Sequence, residues 1–310
     1  MLENNDFPTI AVWFSCGAAS AIAAQETIRQ YGDTHNIRIV NSPIKEEDKD
    51  NQRFLKDIES WLNHPIEFAY SKRYPSQSAK DVWEDRQYMG NTQGAPCTIE
   101  LKKVARQDWE KANPVDYHVL GFVLEEQNRH KRFILTEREN VLPVLIDAGI
   151  SKKDCYERLI KSGIKLPRIY DQGYPNANCI GCVKATSRTY WNHVREKHPD
   201  VFWDRAKQSR QLGAKLTRMP LKDFPYAYKD DYGYWWHTKT GECFTKEIFD
   251  ENGNVIDLKT PYRIRIFLDE LPPDSKGWAI KSMDVECGVF CEEKPNDNNS
   301  NYNDDGDDDN

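Results

Sequence analysis

An apolar strand that runs into a turn of small residues and then into an alanine-rich helix leaves few architectures open, and this chain starts with that succession. Residues 9–14 read T-I-A-V-W-F, an unbroken apolar run of the kind buried on both faces of a parallel sheet. Residues 15–20, S-C-G-A-A-S, carry no bulky side chain, and the helix after them ends near Gly32. The alternation then repeats. A second strand is predicted over 37–40, and Phe54, Leu55, Ile58, Trp61 and Leu62 recur at helical spacing. A third strand is predicted over 66–70. Leu101, Val104, Ala105, Trp109 and Ala112 outline a further helix that stops before Asn113-Pro114, and residues 117–122 (Y-H-V-L-G-F) read as a fourth buried strand. Strands alternating with helices predict an α/β domain built on a parallel, Rossmann-like sheet.

Beyond residue 213 the pattern changes. Tyr226, Tyr228, Tyr232, Tyr234, Trp235 and Trp236 crowd together, and Asn252-Gly253 between short apolar runs signals a hairpin. A smaller β-rich lobe is expected over 214–293, with the aromatic cluster as its core; a stacking platform for bases is the sharper alternative. Residues 294–310 hold six Asp and one Lys, which accounts for −5 of the net −7. With almost no apolar side chain to offset ordering, this tail is expected to be disordered. The expected division is therefore 1–213, 214–293 and 294–310.

Composition removes several classes of function. No stretch approaches the roughly 18 apolar residues of a membrane span. Residues 1–6 are polar and acidic without an apolar h-region, so no secretory signal is expected. The near-neutral folded part argues against binding nucleic acid by bulk positive charge. Eight cysteines without a leader point to a reducing, cytoplasmic setting, in which thiols act as ligands, nucleophiles or small apolar groups. Cys155 and Cys243 stand alone and are read as buried or incidental.

Three constellations carry chemistry. A small-residue turn between a buried strand and a helix presents backbone N–H groups to an anion, with Ser15 and Ser20 adding hydroxyls; close packing is the plainer use of such a turn. The chain has no Walker-type G-K-[ST]. Residues 121–133, G-F-V-L-E-E-Q-N-R-H-K-R-F, are expected as a Glu/Arg-rich loop at the carboxyl end of the fourth strand, where open parallel sheets bind ligands. There Arg129, Lys131 and Arg132 suit phosphate or sulfate oxygens, and Glu125 or Glu126 suits a ribose hydroxyl, against the plainer reading of a solvated charged loop. Cys179 and Cys182 form C-I-G-C, two thiols on one turn as in zinc or iron–sulfur sites, with a redox pair as the rival. Cys97 follows Pro96 just before a helix, a position that favours the thiolate.

These pieces stand in an order that resembles the phosphoadenosine phosphosulfate (PAPS) reductase family, within the wider adenine-nucleotide α-hydrolase fold that includes the PP-loop ATP pyrophosphatases. S-C-G-A-A-S is similar to the family's phosphate loop, and G-A-P-C-T-I-E-L-K-K to its P-C-C-x-x-x-K segment. Residues 121–132 are similar to the G-x-R-x-x-E-S loop with its trailing arginines. L-P-V-L-I-D, Asp154, G-I-K-L-P-R-I-Y, D-Q-G-Y and C-I-G-C follow the stretch that ends in G-C-x-x-C, and E-C-G-V-F from Glu286 resembles E-C-G-L-H.

The resemblance implies that Ser15, Cys16, Gly17, Ala18, Ala19 and Ser20 hold the nucleotide phosphate, with Gly121, Glu126, Arg129 and Arg132 nearby. It implies Cys97, Cys179 and Cys182 as ligands of an iron–sulfur cluster of the 4Fe-4S type, with zinc as the alternative. Cys287 is implied as the thiolate that attacks sulfonate sulfur, and a thioredoxin-like dithiol as the reductant. The chain departs from the pattern at Thr98, where cluster-bearing reductases have a second Cys, so Cys287 or Cys291 completes the set or one iron stays open. Val123 replaces the Arg of G-x-R, Phe290 replaces the His of E-C-G-L-H, and the Asp of S-G-G-x-D-S is missing. The expected function is thiol-dependent reduction of an adenine sulfonucleotide. The alternatives are an ATP-dependent, cluster-assisted sulfurtransferase acting on nucleic acid, and a nucleotide-binding module without turnover. Cys97 and the 179/182 pair are expected to converge beside the anion pocket at the mouth of the sheet.

Overall fold

The computed structural model describes residues 7–90 and 94–282. Cys287, Phe290, Cys291 and the acidic stretch 294–310 lie outside the described residues.

Five parallel strands form the central sheet: β1 (Thr9–Trp13), β2 (Asn36–Asn41), β3 (Ile66–Phe68), β4 (Tyr117–Val119) and β5 (Val141–Leu142), in the order β3-β2-β1-β4-β5. The four strands expected from sequence are present. The chain winds outward from β1 through β2 to β3, then returns to the other side of β1 at β4. That reversal opens a crevice beyond the carboxyl ends of β1 and β4, the position at which doubly wound sheets take ligands.

The alternation of β1 explains its composition. Ile10, Val12 and Phe14 enter one core with α1 (Ala18–Tyr31), while Ala11 and Trp13 face another with Val40, Ala69 and Trp109. Both faces are covered, so the strand is apolar throughout. Gly32 ends α1, as expected. Helix α2 (Asn51–Leu62) buries Phe54 and Ile58 at helical spacing, and α3 (Ala79–Arg86) buries Val82 and Trp83. Next come α4 (Pro96–Thr98), a π-helical segment Ile99–Val104, and α5 (Ala105–Ala112), an uninterrupted run of helix with one widened turn.

Residues 121–133 differ from expectation. A 3₁₀ turn (Leu124–Glu126) leads directly into α6 (Gln127–Thr136), so most of the expected loop is helix. The Glu126 carboxylate accepts from the Val123 N–H at 3.2 Å, satisfying a donor at the helix entrance, and His130 is buried with Nε2 3.0 Å from the Val141 carbonyl. Short helices α7 (Val144–Asp147) and α9 (Arg168–Asp171) flank α8 (Lys152–Lys161), and α10 (Arg188–Lys197) and α11 (Pro199–Gln211) follow. Asp154, singled out by its motif, accepts from the Ser151 N–H at 2.8 Å and serves as the capping box of α8.

The last part of the chain is β-rich, as expected. It consists of three antiparallel ribbons: β6 (Thr217–Pro220) with β11 (Arg263–Ile266), β7 (Ala227–Lys229) with β8 (Trp235–His237), and β9 (Lys246–Phe249) with β10 (Val255–Lys259). Gly253 closes the β9–β10 hairpin at φ +84°. Phe224, Tyr226, His237 and Phe244 pack as an aromatic core, whereas Tyr228 and Tyr232 are exposed. No helix among the described residues is long and apolar enough to cross a membrane.

One core residue sets a pH dependence. His118 on β4 is fully buried and accepts from Trp13 Nε1 at 3.1 Å. Burial, reinforced by the Arg138 and Arg106 charges, lowers its pKa from 6.5 to about 3. Between those values the unfolded chain binds a proton that the folded chain refuses, so stability is full above pH 6.5 and falls as the pH drops toward 3. His118→Asn should flatten that part of a pH series of urea melts.

Candidate functional site

The turn after β1 is held by its own hydroxyls. Ser20 Oγ accepts from the Ser15 N–H at 3.1 Å and donates to the Gly17 carbonyl at 2.9 Å, and Ser15 Oγ lies 3.2 Å away. These bonds fold 15–20 back onto the first turn of α1. No side chain of Gly17 caps the helix, and its first turn has no acidic residue. The Ala18 N–H is met from a distant part of the chain by the hydroxyl of Tyr170, at 3.1 Å. Cys16 takes φ +57°, unusual for a side chain with a Cβ, and its sulfur points inward.

Gly121 brings the second loop to the first. A Cβ at this position would lie 2.8 Å from Ser20 N, 3.1 Å from Ala19 C and 3.2 Å from Ser20 Cα. The backbone after β4 therefore rests directly on the backbone of the anion turn, as only glycine permits. Glu126 is occupied by the Val123 N–H and by Arg129, which also covers the Phe122 ring at 5.2 Å. Arg132 lies on the exposed face of α6.

Beneath the turn lies a charged pair that sequence reasoning missed. Lys102 Nζ and Glu47 Oε1 are 3.6 Å apart, with only 8% and 9% of their side chains exposed. Asn51 donates to the second Glu47 oxygen at 3.2 Å. Burial pushes the Glu47 carboxyl above its usual range, against the pull of Lys102. Burial pushes the Cys16 thiol up, with Glu47 adding to the shift and Lys102 opposing it, so it stays protonated and unreactive. Asn41, at the end of β2, donates to the Phe14 carbonyl at 2.7 Å and lies 3.6 Å from Cys16 Sγ. Lys102 belongs to the G-A-P-C-T-I-E-L-K-K segment, but nothing in a single sequence marks a lysine and a glutamate as buried together.

The thiols pack in a different apolar cluster from the turn, whose Cys16 and Ala18 join the core of β1 and α1. Cys179 and Cys182 flank a tight bend in which Gly181 takes φ +71° and Ile180 N–H donates to the Glu46 carbonyl at 3.0 Å. The Cys182 N–H donates to Tyr190 Oη at 2.8 Å. Cys97 and Cys182 are buried, Cys179 is partly exposed, and all three belong to one apolar cluster. Soft thiols on a glycine-opened bend suit zinc or iron. Among the described residues, however, no group of three or more His, Cys, Asp or Glu side chains is arranged to hold a metal ion. Cys155 is buried, its thiol pushed up to about 12, and Cys243 is exposed.

No protein-family model matches the chain, and no curated protein matches it. Among solved structures, the fold is similar to that of a phosphoadenylyl-sulfate (PAPS) reductase from Candida auris in a phosphate complex. That likeness has 9% identity, covers 56% of this chain and 83% of the other, and has a TM-score of 0.39. The fold is also similar to the U34-tRNA thiolase NcsA from Methanococcus maripaludis with its 4Fe-4S cluster, at 12% identity over 66% of this chain and 72% of the other, with a TM-score of 0.35. Neither likeness bears on the reaction.

Proposed function

We propose that this chain is an enzyme of sulfur chemistry that holds an adenine nucleotide by its phosphates on residues 15–20. The observation that carries the reading is the contact of Gly121 with the Ser20 backbone, where the N-terminal end of α1 meets the crevice between β1 and β4. A phosphate needs what is present there: backbone donors, small side chains and the positive end of a 14-residue helix.

The reaction itself rests on the order of the sequence motifs. The Cys287 thiolate attacks the sulfonate sulfur; an S–S bond forms, the S–O bond breaks, and its electron pair leaves on the nucleotide phosphate. A thioredoxin-like dithiol then attacks Cys287 Sγ, releases sulfite and closes to a disulfide, supplying the two electrons that take sulfur(VI) to sulfur(IV). With Cys287 as the nucleophile, Cys97, Cys179 and Cys182, completed by Cys291 or leaving one iron open, would be the thiols of an iron–sulfur cluster, with zinc as the alternative.

The test is anaerobically purified protein given PAPS, or its analogue without the 3′-phosphate, and a dithiol. Sulfite release that disappears in Cys287→Ser is the expected result. ATP consumption with sulfur placed on tRNA or DNA would give the sulfurtransferase reading instead, and nucleotide binding without either reaction would leave a binding module. Iron, sulfide and zinc analysis of the same sample, with Cys179→Ser and Cys182→Ser beside it, tests the cluster.

A further inference from the structure

We infer that Tyr170 is part of the ligand site, its phenolic O–H donating to an oxygen of the anion held by residues 15–20. The inference rests on the phosphate-binding reading of that turn and names a residue from the far side of the chain as its contributor.

A phenol has one hydrogen to donate and lone pairs to accept with. Tyr170 Oη accepts from the Ala18 N–H at 3.1 Å, and among the described residues its own hydrogen has no acceptor. It sits over the turn itself, 3.3 Å from where a Cβ on Gly17 would lie. The residue is held there firmly. Its helix, α9, is tied down at Arg168, whose N–H donates to Asp50 at 2.9 Å and whose guanidinium donates to Asp48 at 2.6 Å, and its ring packs on Tyr156 at 5.4 Å. Burial raises the phenol's pKa, so the hydrogen stays in place at neutral pH.

A hydroxyl that only capped α1 would have no reason to keep its hydrogen unspent.

Calorimetry with inorganic pyrophosphate, ATP and adenosine, on the wild type and on Tyr170→Phe, tests the inference. Loss of one hydrogen bond to a charged oxygen should weaken pyrophosphate and ATP on the order of tenfold and leave adenosine unchanged. Gly17→Ala, whose methyl crowds the hydroxyl without removing it, should weaken pyrophosphate in the same direction. Equal loss for all three ligands, with a lowered melting temperature of the free protein, would show a structural brace and overturn the inference. Unchanged pyrophosphate affinity would also overturn it, and tighter binding would make Tyr170 a plug. If wild-type protein binds none of the three, the phosphate-binding reading itself fails, and the role of Tyr170 with it.

Discussion

Lys102→Met should destabilise the protein by about 3–5 kcal/mol, because it leaves the Glu47 carboxyl buried without its charge partner. Both side chains are more than nine-tenths enclosed, so water cannot replace the lost ammonium. The loss should depend on pH with a defined sign. Burial already raises the Glu47 pKa above 4.5, and removing Lys102 takes away the main opposing influence. A raised carboxyl pKa gives stability that is complete below the unfolded value and drains away as the pH climbs through the folded one. The variant should therefore be closer to wild type at pH 5 than at pH 8 in chemical denaturation. Adding Glu47→Leu should restore much of the stability, since an apolar pair of similar size removes both desolvation costs. If the double variant is no better than the single, the charge-burial account is wrong.

Gly121→Ala should cost about 1–3 kcal/mol, the usual range for overpacking, and should abolish measurable nucleotide binding. The added methyl meets backbone at 2.8 Å, and backbone cannot rotate aside as a side chain can. Relief requires β4 and the start of α1 to separate, which pulls apart the two loops that form the crevice. Gly17→Ala is the control, because its nearest neighbour is the end of the Tyr170 side chain at 3.3 Å. It should melt within about 1 kcal/mol of wild type, inside the range of mild packing changes. Urea melts distinguish the two variants, and ATP calorimetry should find weakened binding in Gly17→Ala against none measurable in Gly121→Ala.

How much of this was legible in the sequence depends on the kind of signal. Strand β1 announces itself because a strand buried on both faces must be apolar, β2, β3 and β4 because short apolar-rich runs follow turn residues, and α1 because alanine and a terminal glycine bracket it. Strand β5 is two residues long, too short for any periodicity. Helix α6 was hidden by its charge: E-E-Q-N-R-H-K-R reads as a solvated loop until His130 is seen to be the face that turns inward. The aromatic run after 224 divides in a way no pattern foretells, with Tyr226 packed on His237 and Tyr232 in solvent.

At the candidate site, the small side chains of residues 15–20 were legible as a closely packed turn, whereas the approach of Gly121 to it shows only in three dimensions. The Glu47–Lys102 pair and the Tyr170–Ala18 bond were not legible either. They join positions 55 and 152 residues apart, through charges and hydroxyls that a sequence reader assigns to the surface.

The π-helical turn at Ile99–Val104 has a geometric consequence for the helix that carries Cys97. A widened turn holds one residue more than an α-helical one, and each residue advances an α-helix by about 100°. Cys97 is thereby rotated by about that angle relative to everything from Ala105 onward. Deleting one residue between them could heal into ordinary helix with its backbone bonding intact, yet the thiol would face a different quadrant. The irregular stretch works as a phase adjuster, fixing the sulfur's bearing independently of how α5 packs.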